Sequence, residues 1–124
     1  VGSSKKFKMV LYTLDESTYT RELAPLAGVY PSIRLGPPWW FLDSFNGTNR
    51  WRDAVTDTAG FYNTVGFIDD TRALCSVPVR HDLARRADAA YLAKKVSEGL
   101  LTQGEALSLA PQLAYQLSKD FFNL

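Results

Sequence analysis

Gly60-Phe61-Tyr62-Asn63-Thr64-Val65-Gly66-Phe67-Ile68-Asp69-Asp70-Thr71-Arg72 is the stretch around which the chain is organised. Tyr62 to Ile68 lacks polar alternation and is bracketed by helical patterns, which suits a short parallel strand covered on both faces. Gly60 marks a helix end, and Gly66 leaves room for something to approach the strand closely. The strand runs straight into two carboxylates, a hydroxyl and a guanidinium. Parallel α/β folds place their ligands at the carboxyl ends of strands. An Asp aimed into such a crevice can hold a metal or move a proton, and an Arg two residues on can clamp a substrate carboxylate. A structural reading competes with this one: Asp69 and Asp70 cap the next turn, and Arg72 pairs with one of them.

Composition narrows the alternatives. A chain of 124 residues is long enough for one domain with a core. A hydrophobic share of 46% and a charged share of 22% are those of an ordinary globular protein. The net charge of +1 gives no electrostatic case for nucleic acid or an anionic membrane, and no basic cluster is interleaved with aromatics. No apolar run approaches a membrane span, and the start lacks a signal-peptide pattern. The single Cys75 rules out an internal disulfide framework and fits a reducing compartment, so a cytoplasmic setting is expected. Val1 replaces an initiator Met and a strand begins almost at once, which reads as a cut out of a longer protein.

Taken in order, Lys6 to Leu14 reads as a strand, apolar on both faces from Met9. Asp15-Glu16-Ser17 offers caps for a helix over about 17–27, with Leu23 and Leu26 inward and Pro25 kinking or dividing it. Ser32 to Leu35 is a second strand, stopped by Gly36-Pro37-Pro38, so Trp39 and Trp40 fall in the loop past its carboxyl end. Thr48 to Thr58 is a helix with Trp51, Ala54, Val55 and Thr58 on one face. After Arg72 a loop through Pro78 leads to a helix from about His81 to Glu98, with Leu83, Ala87, Ala90 and Tyr91 inward and Gly99 closing it. Thr102-x-x-Glu105 is a capping box that opens a last helix. Its stripe of Ala106, Leu109, Leu113 and Leu117 is interrupted by Pro111, and the Phe121-Phe122-Asn123-Leu124 tail is apolar enough to dock. Alternation of strand and helix predicts an α/β fold with parallel strands. Three strands by themselves leave two bare edges, so a piece of a (β/α)8 barrel reads better than a complete small sheet. All three candidate sites, at Asp15, Trp39-Trp40 and Asp69 to Arg72, then lie in loops after strands.

The same residues carry a resemblance. Phe61 to Phe67, Asp69-Asp70-Thr71-Arg72 and Pro78-x-Arg80-His81-Asp82 are similar to the carboxyl-terminal part of the uronate (glucuronate) isomerases, an offshoot of the amidohydrolase superfamily. Tyr30-Pro31, Leu35-Gly36-Pro37 and Trp39-Trp40-Phe41 fit the same family at the right distance upstream. Nearly the whole chain is covered. The resemblance implies that residues 1–124 are the last three strand-helix units of a closed (β/α)8 TIM barrel, with carboxyl-terminal helices. It also implies interconversion of D-glucuronate with D-fructuronate, and of D-galacturonate with D-tagaturonate.

Carried over residue by residue, the family pattern makes Asp70 a metal ligand and acid–base group. It makes Arg72 a catalytic and substrate-binding residue, and Trp39 a substrate-binding residue. Asp69 is expected to face elsewhere as a cap. A divalent metal, zinc, is implied, with most of its ligands outside this chain. The His-x-His pair and the early His, Tyr and Arg residues of such sites are missing here, so the 124-residue chain alone is not expected to be active. His81, the only histidine, reads as structural, as do Arg80 and Asp82 at the start of their helix. Arg34 faces a buried acid or solvent at the barrel's foot. The expected partners are a small hexuronate and the remainder of the barrel, with a homo-oligomer left open. Two other readings stand beside this one: a metal-dependent hydrolase of the same superfamily, and a non-enzymatic α/β interaction module.

Overall fold

The computed structural model describes residues 3–4, 6–14, 17–37 and 43–124, apart from the side chain of Thr20. Two strands, β1 (Met9–Leu11) and β2 (Ile33–Leu35), pair in parallel with Met9 opposite Ile33 and Leu11 opposite Leu35. The crossover between them is a π-helical turn, Tyr19–Leu23, that runs into α1 (Ala24–Val29). Pro25 does not break this run: residues 17–29 are continuously helical, and the π turn just ahead of the proline accommodates its missing N–H.

Helix α2 (Phe45–Ala59) starts earlier than its apolar spacing predicts, because Ser44 Oγ caps it by accepting from the Gly47 N–H at 3.0 Å. Trp51 and Val55 are buried as expected, whereas Thr58 is exposed. Tyr19, Ala24, Ala27, Leu35, Trp51, Val55 and Ala59 form the core between this helix, the π turn, α1 and the strand pair. Arg52 adds a polar tie that its place among surface-type residues conceals. Its Nε meets Asp88 at 2.7 Å and its Nη1 donates to Thr64 Oγ1 at 3.3 Å.

The stretch predicted as the central strand keeps its direction but not its length. Leu35 N–H donates to the Asn63 carbonyl (3.0 Å) and Val65 N–H to the Leu35 carbonyl (2.9 Å), a single parallel bridge between Leu35 and Thr64. In that register the next donor belongs to residue 37, a proline with no N–H, so the ladder stops there. Gly66 behaves as its sequence suggests. A Cβ there would lie 2.6 Å from Ser118 Oγ and 2.9 Å from the Leu113 carbonyl, and its N–H donates to Ser118 Oγ. The carboxyl-terminal helices therefore lie against the segment where a side chain is missing.

Helix α3 (Val77–Ser97) also begins before its predicted start, with Pro78 inside its first turn rather than in the preceding loop. Its inward residues are Ala84, Ala87, Tyr91 and Leu92, while Leu83 and Ala90 face out. Ala87 and Tyr91 hold their predicted places, while Ala84 and Leu92 take those expected of Leu83 and Ala90. Thr102 and Glu105 form the full capping box that opens α4 (Gln103–Pro111). Pro111 does not end the helical run. A π turn over Gln112–Gln116 absorbs the lost N–H and hands the chain to α5 (Leu117–Phe122). Leu92, Leu109 and Leu113 make a second core with Leu117 and Phe61 around it, and Phe121 docks at 8% exposure. Lys8 Nζ clamps that end by donating to the Phe121 carbonyl (2.5 Å) and Asn123 Oδ1 (2.8 Å). Among the described residues no helix is long and apolar enough to cross a membrane.

Candidate functional site

The ends of the parallel segments meet at one cavity of about 390 Å³, lined by Tyr12, Pro37, Ile68, Asp69 and Asp70. Each residue follows a segment of the sheet: Tyr12 after β1, Pro37 after β2, and Ile68 to Asp70 after the Thr64 bridge. The reason is topological, since parallel segments joined by helical crossovers bring their carboxyl ends to the same face. Tyr19 fixes the floor beneath. Its hydroxyl donates to the Gly36 carbonyl and accepts from the Thr13 N–H, both at 3.3 Å, so one buried phenol ties the ends of β1 and β2 together. Burial pushes that phenol up to about 12, although the Thr13 N–H pulls the other way.

Asp70 is exposed at the rim of this cavity. Arg72 is exposed two residues further on and is not among the lining residues. Trp39, with Trp40 beside it, lies outside the described residues, as does Asp15. Sequence and structure thus bring Asp69 and Asp70 together with Tyr12 and Pro37.

Asp69 has a structural partner, but not the one proposed for it. Its side chain is 2% exposed and lies 2.8 Å from Arg80 Nε, and Arg80 Nη2 reaches Asp43 at 2.5 Å. Arg72 is therefore not the cation that neutralises it. Neither carboxylate oxygen of Asp69 accepts a hydrogen bond among the described residues, because the Arg80 N–H does not point along the contact. The pair is held by charge. Removing one member of a buried pair typically costs about 3–5 kcal/mol, an upper figure here because Arg80 keeps 28% exposure.

The other candidates are settled by their contacts. His81 stands edge-on to Phe67 with ring centroids 5.0 Å apart, a packing role. Asp82 faces Arg86 (2.6 Å) and Arg85 (3.6 Å) on its own helix, and the Arg86 hydrogen bond holds its carboxyl below the usual range. Arg34 is half-buried and pairs with no acid among the described residues. Its Nη1 donates to the Ile33 and Pro31 carbonyls, and its guanidinium lies over the Phe121 ring. Tyr12 is the cavity residue that pattern reading misses, because it looks like one more strand position. Gly36, the neighbour its ring covers, is the signal that could have found it: a Cβ there would fall 2.0 Å from the Tyr12 ring. Partial burial pushes the Tyr12 phenol up.

No group of three or more His, Cys, Asp or Glu residues able to hold a metal is present among the described residues. A single rim carboxylate does not make a divalent-cation site, which needs several converging donors. By themselves, the described residues do not make a metal centre.

Comparison with known proteins gives this geometry its context. The family profile described as Glucuronate isomerase matches residues 2–122. A uronate isomerase of Rhizobium meliloti is 57% identical over all 124 residues, and one of Caulobacter vibrioides 55%. In each case the chain spans 26% of the relative's length. The crystal structure of glucuronate isomerase from Caulobacter crescentus superposes with a TM-score of 0.96 at 54% identity, covering 99% of this chain and 26% of that one. The Thermotoga maritima uronate isomerase structure gives 0.87 at 30% identity, covering 93% and 25%. By its residue-level match over nearly its full length and its superposition on two solved members, this chain belongs to the glucuronate isomerase family.

Proposed function

We propose that the chain is the carboxyl-terminal part of a (β/α)8 barrel that interconverts hexuronate aldoses and ketoses: D-glucuronate with D-fructuronate, and D-galacturonate with D-tagaturonate. The observation that carries this reading is the acid pair at the carboxyl end of a parallel segment, in a chain matched over residues 2–122 by the glucuronate isomerase family. Two parallel strands and a third segment in register support the barrel by supplying consecutive staves of such a sheet.

Aldose–ketose isomerisation moves one proton between adjacent carbons. A base takes the proton from the carbon beside the aldehyde, and the electron pair left behind forms the carbon–carbon double bond of an enediol as the aldehyde oxygen is protonated. Return of a proton to the former aldehyde carbon, with loss of the hydroxyl proton from its neighbour, leaves the ketone. Asp70 is the group assigned to the proton: a rim carboxylate reached from the cavity side can accept and return it. Arg72 is assigned to the substrate carboxylate, for which its planar fork is suited. Trp39 is assigned to the sugar's apolar face. A divalent metal, with zinc the expected ion, would polarise the substrate oxygens. Asp70 would be this chain's one contribution to its ligands, and the remainder would come from other parts of the barrel. The exposed, unpaired Cys75 fits a cytoplasmic setting.

The test is an isomerase assay of the intact protein with D-glucuronate and D-galacturonate, run beside simple esters and amides. Conversion of the hexuronates with no hydrolysis is expected. Hydrolysis without isomerisation would transfer the site to the hydrolases of the superfamily.

A further inference from the structure

We infer that Arg80 is the positioning residue for the strand-end acid, holding Asp70 in place through Asp69; the inference rests on the reading of Asp70 as the proton-handling group. Arg80 stands on the first turn of α3 and joins three parts of the fold with one guanidinium. Nε meets Asp69 (2.8 Å), Nη2 meets Asp43 just ahead of α2 (2.5 Å), and the Phe67 ring lies 5.8 Å from its Cζ. Asp69 is coupled to Asp70 by more than sequence. The Asp69 carbonyl accepts the Thr71 N–H at 2.8 Å, which makes Asp70 the central residue of a three-residue turn. Fixing the Asp69 side chain therefore fixes the turn that presents Asp70. Since neither Asp69 oxygen accepts a hydrogen bond among the described residues, the Arg80 charge is the anchor found there, and losing it frees the turn.

Displacement of a catalytic group by about 1 Å can cost on the order of a hundredfold in rate. In the intact isomerase, Arg80→Lys keeps a positive charge but cannot meet Asp69 and Asp43 from one rigid fork. It should lower kcat for D-glucuronate by about tenfold or more, with a smaller change in KM and little change in melting temperature. Asp43→Asn, which alters a side chain at 29% exposure, should lower kcat by about threefold and leave folding intact. Arg86→Gln, an exposed change on the same helix, is the control expected to stay within about twofold. Full turnover in Arg80→Lys would overturn the inference, and so would variants that melt earlier yet turn over like the parent at low temperature. If Arg80→Lys does not fold, Asp43→Asn decides: unchanged kcat overturns, and a fall of about threefold with an unchanged melting temperature supports. Asp70→Asn separates this from the reading beneath it. If Asp70→Asn stays active, the assignment of Asp70 fails whatever Arg80 does. If it is inactive while Arg80→Lys matches the parent, the positioning inference alone fails.

Discussion

Two neighbouring carboxylates, Asp69 and Asp70, differ in almost every physical respect. Asp69 is buried against a cation, whereas Asp70 is exposed on the same cavity wall. Only the second is open to solvent, so charge removal should separate them. In the intact protein, Asp70→Asn preserves shape while removing basicity and should lower turnover by at least about a hundredfold, the usual range for a lost acid–base group. Arg72→Lys keeps the charge but loses the bidentate fork and should weaken catalysis despite its conservative look. Asp69→Asn is expected to cost clearly less than Asp70→Asn, since it loosens the turn without removing the reacting group. Steady-state kinetics on the three variants decide the matter, and equal damage from both Asp changes would show that the wrong acid has been assigned. This pair also marks how far the site was legible in sequence. The motif identifies the loop, but nothing in Asp-Asp-Thr-Arg says that a residue eight positions beyond Arg72 neutralises Asp69, because that contact is made by the fold.

The helices and strands were legible in type and less so in extent, for reasons that lie in proline and glycine. Pro78 looks like a break but sits in the first turn of its helix, where a missing N–H costs nothing, and Pro25 is carried through by the π turn that precedes it. Pro111 looks like a break and is bypassed by a π turn. Pro37, by contrast, cuts short a ladder that the apolar run after Gly60 would otherwise extend. Gly66 was legible because glycine weakens an extended segment and is tolerated there chiefly where a neighbour needs the space of its missing side chain. Gly66→Ala should push α5 from its seat, since the new methyl would stand 2.6 Å from Ser118 Oγ and 2.9 Å from the Leu113 carbonyl. A loss of about 1–3 kcal/mol is expected in denaturant titrations, and an unchanged midpoint would mean that the helix can shift at no cost. Tyr19 gives a second test, through pH. Its phenol is raised from 10.0 to about 12 chiefly by burial, so the folded state holds the proton more tightly than the unfolded one. The resulting stability is complete below pH 10 and is lost as pH climbs from 10 through 12. Tyr19→Phe should be less stable by about 1 kcal/mol near pH 8, where the hydroxyl's bonds to Gly36 and Thr13 are missing. Above pH 10 the difference should narrow, as melting curves across that range would reveal.

The chain's surface bears on how it behaves by itself. Its accessible area is 7505 Å², against roughly 6,700 Å² expected for a folded monomer of its 13.9 kDa. Among the described residues, Phe7, Met9, Tyr12 and Leu14 along the first strand and its flanks, Val29 at the end of α1, and Leu107 on α4 are all exposed. The described sheet is two parallel strands and one bridge, and parallel strands are normally covered on both faces and both edges. Within a barrel those surfaces would face further strands and helices. Produced by itself, the 124-residue segment is left with open strand edges beside exposed aromatic and aliphatic side chains, the combination that favours association. It should therefore sediment as a mixture of species that shifts with concentration, and it should unfold in a broad, concentration-dependent transition. Adding zinc should not sharpen that transition, because one rim carboxylate cannot replace the water around a divalent ion. Sedimentation velocity combined with thermal melts, with and without zinc, measures both effects. A sharp, concentration-independent transition of a monomer would mean that the segment closes its own core, and the case for treating it as consecutive staves of a larger barrel would then fall to the interaction-module reading.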